Sequence, residues 1–353
     1  METLRDWFWL YRPGAPSARA QSVQVLNAAH AMAARGHRVE LCVESDRPAV
    51  EVLGYYGLAP VPSLRVRALP RGTLGSVAYR AAFARWVVRT GGEGIAFARR
   101  KKHAAWALSW LGGRFKLVLE VHEVDSAQAI DRGEDGQPWW ALEERVLRGA
   151  WGVVANAEGT LELLRERHPT LPPALVAHNA ARPGVPPRAD ASGVGVVGSV
   201  RAYKDVDTVV AAAALVEPAI TWIGADTPLP APVRSEPPIP PRDVPGRLAG
   251  FSALIVPLSP GRFGDALTSP LKLWDALASG VPVIAADTRA VRRVAEGAYV
   301  PYAPGDGASL AAAIRETADP ATRARVVAAA RVRARSWDQR AAEIAAFVDA
   351  VAG

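Results

Sequence analysis

Residues 269–287 read SPLKLWDALASGVPVIAAD, and a helix followed directly by a strand is their plainest interpretation. Ser269 is a favoured N-cap residue and Pro270 is favoured at the first helical position, so a helix is expected over 270–279. The β-branched run after it predicts a strand over 281–285. A helix opened in this way presents free backbone N–H groups and the positive end of its dipole, and Lys272 adds a full charge in the first turn. Ser269, Pro270, Leu271 and Lys272 are therefore expected to grip an anion. Asp275 lies on the same helix face as Lys272, three residues on. A carboxylate there can accept two hydrogen bonds from ribose hydroxyls.

Outward from this stretch, short apolar runs alternate with alanine-rich helical ones along nearly the whole chain, the pattern of a parallel α/β protein. In the first half a helix over 22–35 leads into a strand over 38–43. Further strands are expected over 94–98, 116–122, 151–155 and 174–177. Pro183, Pro186 and Pro187 then mark a linker at 181–193. The alternation restarts with strands over 194–200, 220–223 and 253–257 and a helix over 206–215. A proline-rich loop runs from 228 to 241. The expectation is two facing Rossmann-like domains with parallel sheets and a cleft between them, since such sheets bind ligands beyond the carboxyl ends of their strands. The divisions are 1–182, 183–335, and a C-terminal helix over 336–353 packing back on the first domain. Gly193–Gly198 matches a dinucleotide fingerprint by letters but falls within a strand, which argues against a nicotinamide dehydrogenase.

The 353 residues suit two domains of ordinary size, and half of them are hydrophobic with 22% charged, a globular composition. The single cysteine, Cys42, has no internal partner and lies in an apolar run, as a small buried hydrophobe does. No stretch reaches the roughly 18–20 apolar residues of a membrane span, and the first eleven residues lack signal-peptide features. A cytoplasmic protein is expected. The net charge of +7 is concentrated: nine basic residues and one acid between Arg80 and Lys116 carry +8.

Arg201 and Lys204 follow the strand over 194–200, where ligands approach an α/β domain. Two cations and a helix terminus would stabilise a diphosphate leaving group as its charge grows. Gly198, in that strand, is counted with the donor-binding candidates. Each feature also has an ordinary reading: Ser-Pro opens many helices, Lys272 and Asp275 can pair on a surface, and Arg201 and Lys204 can be loop charges. Asp205-Val206-Asp207 looks like a metal-binding pair but begins a helix, where acids are expected without metal.

The stretch 269–287 strongly resembles the donor-binding signature of glycosyltransferase family 4, in a Ser-Pro-x-Lys variant. "AARGHRVELCVE" after the first helix, "LVLEVHE" at 117–123, "VGSVRAYKDVDTVVAAA" at 197–213 and "SWDQRAAEI" near the end resemble the same family in the same order. The resemblance implies a GT-B fold, a nucleotide-sugar donor such as a UDP- or GDP-sugar, retention at the anomeric carbon, and neither catalytic metal nor other cofactor. It implies that Arg201 and Lys204 neutralise the diphosphate, that Asp275 holds the ribose, and that a histidine at the position of His122 contacts the donor sugar near the reacting carbon. Two departures stand out. Leu267 occupies the position of the motif's first glutamate, with Asp265 two residues out of register, and Ser17-Ala18-Arg19-Ala20 replaces the usual double-glycine loop.

His122, Arg201 and Lys204 are thus the catalytic candidates, with front-face displacement as the chemistry and Glu120 or Glu123 setting the His122 tautomer. On the acceptor side stand Arg19, Lys102, Trp106 and Trp110. On a helix over 101–111 the two tryptophans share a face with Lys102 and His103, and the preceding helix over 76–90 sets Tyr79, Phe83 and Trp86 opposite Arg85 and Arg89. Such faces suit an anionic membrane surface, or else the aromatics pack internally. The acceptor is a hydroxyl compound, lipid-linked or hydrophobic, and nucleic acid is not expected. A peripheral place at the inner membrane face follows from that reading. Two alternatives remain open: a nucleotide-sugar epimerase on the same fold, and a nucleotide-sugar binding protein without turnover, motivated by Leu267.

Overall fold

Strands that are apolar from end to end and buried on both faces belong in parallel sheets covered by helices, and the computed structural model has two of them. It describes residues 3–201 and 204–352. The chain divides into one unit of Met1–His178 with Trp337–Gly353 and a second of Asn179–Ser336, where the sequence reading placed the divisions at 182/183 and 335/336.

The first unit contains β1 (Asp6–Trp9), β2 (Arg38–Glu44), β3 (Leu64–Leu69), β4 (Ile95–Ala98), β5 (Lys116–Val121), β6 (Gly152–Ala155) and β7 (Ala174–Val176). They pair in parallel in the order β3-β2-β1-β4-β5-β6-β7. The order reverses at β1, whose neighbours β2 and β4 lead away on opposite sides. Ligands of open α/β sheets bind beyond the strand ends at such a reversal, here the ends of β1, β4 and β5.

The core of this unit is aromatic. Trp7, Phe8 and Trp9 of β1 are fully buried; Phe8 packs 5.0 Å from Phe83 and Trp9 packs 4.9 Å from Phe97, centroid to centroid. The helix Gly72–Thr90 turns Tyr79, Phe83 and Trp86 into this core. These aromatics pack internally and do not form the interfacial face that was one of their two readings, because β1 offers them an apolar partner. The C-terminal helix Trp337–Ala352 belongs to this unit and packs along Ala20–Ala34. Asp349 pairs with Arg5 at 2.8 Å and Asp338 with Arg35 at 3.0 Å.

The second unit contains β8 (Val194–Val197), β9 (Ile220–Ile223), β10 (Arg234–Glu236), β11 (Ala253–Val256), β12 (Val283–Ala286) and β13 (Val300–Tyr302). Their order is β10-β9-β8-β11-β12-β13, again parallel throughout. The reversal falls between β8 and β11.

The segment 181–193 is not the free linker its proline content suggests. Backbone bonds tie Ala181 to Arg335, Arg188 to Ala249 and Ser192 to Gly250. Gly184 lies so close to the helix Leu271–Ala278 that a Cβ on it would sit 2.1 Å from the Ala278 carbonyl oxygen. Its prolines fix an extended path over the unit's own surface. Among the described residues no helix is long and apolar enough to cross a membrane.

Candidate active site

In the second unit the residue after β8 is Gly198, at φ 129°, a conformation that favours glycine. Its amide donates to Ile223 O at 2.8 Å and its carbonyl accepts from the Trp222 indole at 2.7 Å, which fixes the turn. A Cβ at Gly198 would lie 3.0 Å from Lys204 Nζ and 3.5 Å from the Lys272 stem. Gly198, Lys204 and Lys272 thus meet at the carboxyl end of β8.

Lys204 is 8% exposed and has no carboxylate within ion-pairing distance among the described residues. Burial pushes its ammonium down to about 8, and the charges of Lys272 and Arg201 push in the same direction. An uncompensated buried cation is costly; an incoming anion would remove that cost. Lys272 Nζ lies 3.3 Å from Asp275 Oδ2, so these two form the i,i+3 pair that was their ordinary reading. Arg201 is exposed, and its guanidinium donates to Val200 O at 3.0 Å. Ala202 and Tyr203 lie outside the described residues.

Ser269 departs from expectation. The helix runs Leu271–Ala278 with Pro270 as its N-cap, extended at ψ 121°, and no side chain caps it. The Ser269 hydroxyl instead accepts from the Asn179 amide and from the Trp274 indole, each at 3.1 Å, while Asn179 Nδ2 donates to Ser269 O at 2.6 Å. Ser269 is a buried anchor for residue 179, drawn off the cap by partners remote from it in sequence or one and a half turns ahead. The cap position passes to Pro270, and the amides of Leu271 and Lys272 still precede the first intrahelical bond. Leu267 ends the helix Arg262–Ala266. Asp265 is engaged by Arg289, accepting from its backbone amide at 3.1 Å and its Nε at 2.6 Å. Asp205 accepts from the Gly305 amide at 2.7 Å.

In the first unit His122 directly follows β5. Arg99, directly after β4, donates from Nη1 to His122 Nε2 at 2.5 Å and to Gln24 Oε1 at 2.7 Å. A guanidinium can only donate, so Nε2 is the acceptor and the imidazole proton sits on Nδ1. Glu120 Oε2 stands 3.3 Å from the same nitrogen, an electrostatic contact that leaves this oxygen without a hydrogen-bond partner. The tautomer is therefore set by Arg99, not by a glutamate as expected. Burial and the Arg99 charge hold His122 down at about 4. It is neutral at physiological pH.

Glu120 is itself fully buried. Its Oε1 accepts from Arg340 at 2.6 Å and from Gln24 at 2.8 Å. Burial opposes its ionisation, but the surrounding positive groups outweigh that and hold the carboxyl well below the usual range. Glu123 is exposed, and its carbonyl accepts from Lys101 at 2.6 Å. Sequence reasoning missed Arg99, Gln24, Arg340 and Asn179. Arg99 lay inside the basic run and Arg340 inside a quoted family-like segment, but pairings across 23 and 220 positions have no local signal.

His122 and Lys102 line one cavity of about 250 Å³ with Arg100, Glu120 and Trp139. Trp106 lies elsewhere on its helix, part-buried against Tyr79 and Phe83 with Arg80 over its ring at 5.2 Å. Trp110 lies beside it, the rings tilted with centroids 5.3 Å apart, and is 51% exposed. Arg19 is exposed at the N-cap of Ala20–Ala34.

Residues 21–181, nearly all within the first unit, match Glycosyltransferase Family 4, which bears out the resemblance read from the sequence. The matched residues end before the 269–287 stretch. No curated protein matches the chain by sequence. Among solved structures, sucrose-phosphate synthase from Thermosynechococcus elongatus superposes with a TM-score of 0.74 at 16% identity, covering 99% of each chain. Anabaena HepE in complex with UDP-glucose gives 0.72 at 16% identity, over 99% of this chain and 100% of that one. The lipopolysaccharide outer core galactosyltransferase WaaB gives 0.60 at 16% identity, over 98% and 100%. The expected α/β fold of two parallel-sheet units is the fold these glycosyltransferase structures share.

Proposed function

We propose that this chain, which carries the glycosyltransferase family 4 match over residues 21–181, moves a hexose-type sugar from a nucleotide diphosphate to a hydroxyl acceptor with retention at the anomeric carbon. The observation that carries the reading is Lys204: a buried cation without a counter-ion among the described residues, beside Lys272 and a helix terminus at the end of β8. A diphosphate supplies the charge this corner lacks. As the sugar–phosphate bond breaks, negative charge moves onto the leaving oxygen, and Lys204, Lys272 and Arg201 stabilise it. In this reading Asp275 exchanges its Lys272 pair for the ribose hydroxyls. His122, neutral and protonated on Nδ1, donates a hydrogen bond to the sugar. The acceptor hydroxyl attacks on the face the diphosphate leaves, and the departing phosphate takes its proton, so no metal, separate base or further cofactor is required.

HepE has been solved with UDP and with UDP-glucose, which makes uridine the first base to try here. Thermal unfolding measured with UDP, GDP, ADP and TDP sugars tests the reading. One nucleotide series should raise the transition of the second unit; no shift with any of them overturns the proposal.

A second reading has one observation in its favour. With Leu267 in place of an acid and Asp265 held by Arg289, neither of these two positions supplies a free carboxylate, as in a nucleotide-sugar binder without turnover. Release of nucleoside diphosphate with an acceptor present separates the two.

Peripheral contact with the inner face of an anionic membrane, in the cytoplasm, belongs to the same proposal. Leu74, Val77, Val88 and Trp110 are exposed, and Arg80, Arg85 and Arg89 are exposed beside them. Co-sedimentation with anionic vesicles at low salt and release at high salt support this contact. Absence of binding at low salt contradicts it.

A further inference from the structure

Gln24 is buried on the helix Ala20–Ala34, and its side chain meets residues 75 and 96 positions away. Its Nε2 donates to Glu120 Oε1 at 2.8 Å, and its Oε1 accepts from Arg99 Nη1 at 2.7 Å. An ionised carboxylate only accepts and a guanidinium only donates. Turned over, the amide would set its oxygen against the carboxylate and its NH2 against the guanidinium. One orientation alone satisfies both neighbours. Gln24 is thus the uncharged link between a buried anion and the cation beside His122.

That link bears on which nitrogen of the His122 ring carries the proton. Arg99 Nη1 has two hydrogens. Gln24 Oε1 takes one, and the other points to His122 Nε2 at 2.5 Å. Two acceptors on one nitrogen fix the plane of the guanidinium. Glu120 does not draw it away, because Oε1 already accepts from Gln24 and Arg340, and Oε2 stands 4.0 Å from Arg99 Nη1. Oε2 is nonetheless the competitor for the ring. It lies 3.3 Å from Nε2, is buried and has no hydrogen-bond partner, so an imidazole protonated on Nε2 would satisfy it. Leaving such an oxygen unpaired costs free energy, and Arg99 on Nε2 is what keeps it so. Without Gln24 the guanidinium loses the acceptor that orients it and is free to close on Glu120 Oε2. Nε2 can then take the proton and donate to the same carboxylate.

We infer that Gln24 is a positioning residue of the candidate active site: by holding Arg99 on Nε2 it confines His122 to the tautomer protonated on Nδ1, so that the ring offers a donor to the cavity it lines. Nδ1 has no hydrogen-bond partner among the described residues, and His122 lines that cavity of about 250 Å³. Gln24 touches the ring only through Arg99 and Glu120. The use of the Nδ1 donor in turnover rests on the glycosyltransferase reading; the choice of tautomer does not.

The test is nitrogen-15 NMR of the histidine rings in the ligand-free full chain near pH 7, where the ring-nitrogen shifts distinguish the two neutral tautomers. His122→Asn assigns the signals. Wild type should show His122 protonated on Nδ1, and Gln24→Leu should show a population protonated on Nε2. Gln24→Glu keeps an oxygen toward Arg99 and should keep the wild-type tautomer, a rescue that packing alone does not provide. Gln24→Met takes the place of Gln24→Leu if that variant does not fold. A wild-type ring protonated on Nε2 overturns the inference. So does an unchanged tautomer in Gln24→Leu, or its loss in both Gln24→Leu and Gln24→Glu. In turnover, Gln24→Leu should lower kcat/KM for the nucleotide sugar about tenfold, roughly the effect of one hydrogen bond. Calorimetric affinity for the nucleoside diphosphate, which has no sugar to meet His122, should stay within about threefold. A switched tautomer with unchanged kcat/KM overturns the positioning role. No turnover by the wild type, with the tautomers as expected, sinks the glycosyl-transfer reading alone.

Discussion

Arg340 donates from Nη2 to Glu120 Oε1 at 2.6 Å across 220 positions of sequence, and both side chains are within 1% of complete burial. The C-terminal helix thereby supplies the counter-charge for the carboxylate beneath His122. Removing one partner of a buried pair strands the other and costs about 3–5 kcal/mol. Arg340→Met should lower the first unit's unfolding free energy by that amount, seen as a lower denaturant midpoint with little change in slope. Glu120→Gln, which keeps an acceptor for Arg340, should cost less. Equal and small losses in both variants contradict the pairing.

Arg99 governs the protonation of His122. In the wild type the imidazole signals should stay constant from pH 8 down to about 5 and move near 4. Arg99→Met removes a neighbouring cation and frees Nε2 while Glu120 remains, so the titration should rise toward the ordinary histidine value. Carbon-detected NMR of the histidine rings reads this directly; an unchanged midpoint rules out Arg99 as the cause.

Stability should follow the same histidines. His122 and His103 are both depressed to about 4 from 6.5, in each case by burial first. Between those values the unfolded chain binds more protons than the folded one, so stability falls as pH drops from about 6.5 to 4. The first unit should lose several degrees of melting temperature over that interval, and His103→Asn should flatten the slope. A melting temperature constant through the window contradicts the depressed values.

Much of this arrangement was legible in the sequence, and the failures have physical causes. Buried parallel strands are contiguous apolar runs, so β2, β4, β5, β6, β9 and β11 could be read directly. β1 was missed because four aromatic-rich residues close to a terminus carry no periodicity, although they form the interior strand at which the first sheet reverses. β3, with Arg65 and Arg67 alternating along it, and β10, three polar residues inside a proline-rich loop, are weak signals of the same kind. Local capping rules assigned Ser269 to the helix end. Tertiary partners, Asn179 and the Trp274 indole, took its hydroxyl instead. The sequence placed Lys204 after one strand and Lys272 at a helix start, and the fold brings both to Gly198 at the end of β8, because topology dictates where such ends lie. The Arg99–His122–Glu120–Arg340 arrangement joins four distant segments and could not be read from spacing.

Ser269→Ala separates an anchor from a ligand-binding role. It strands the Asn179 amide and the Trp274 indole, at a cost of about 1–3 kcal/mol. The second unit should unfold earlier by that margin while nucleotide affinity stays within about threefold. A large affinity loss with unchanged stability would mean that the hydroxyl meets the ligand directly.

Lys204 carries opposite signs for stability and binding. Its folded value of about 8 lies below the unfolded 10.5, so below pH 8 the charged side chain burdens the fold by on the order of 3 kcal/mol. That burden lifts as pH rises through this interval. Lys204→Met should therefore raise the melting temperature of the ligand-free protein at pH 7; a lower one contradicts the uncompensated charge.

The central claim is that the buried Lys204 awaits a donor diphosphate, and the most direct measurement is calorimetric titration of the preferred nucleoside diphosphate into wild type and Lys204→Met without divalent cation. Loss of the cation should weaken binding by more than roughly tenfold, even though the variant is the more stable protein. Equal affinity in the two proteins would contradict the claim.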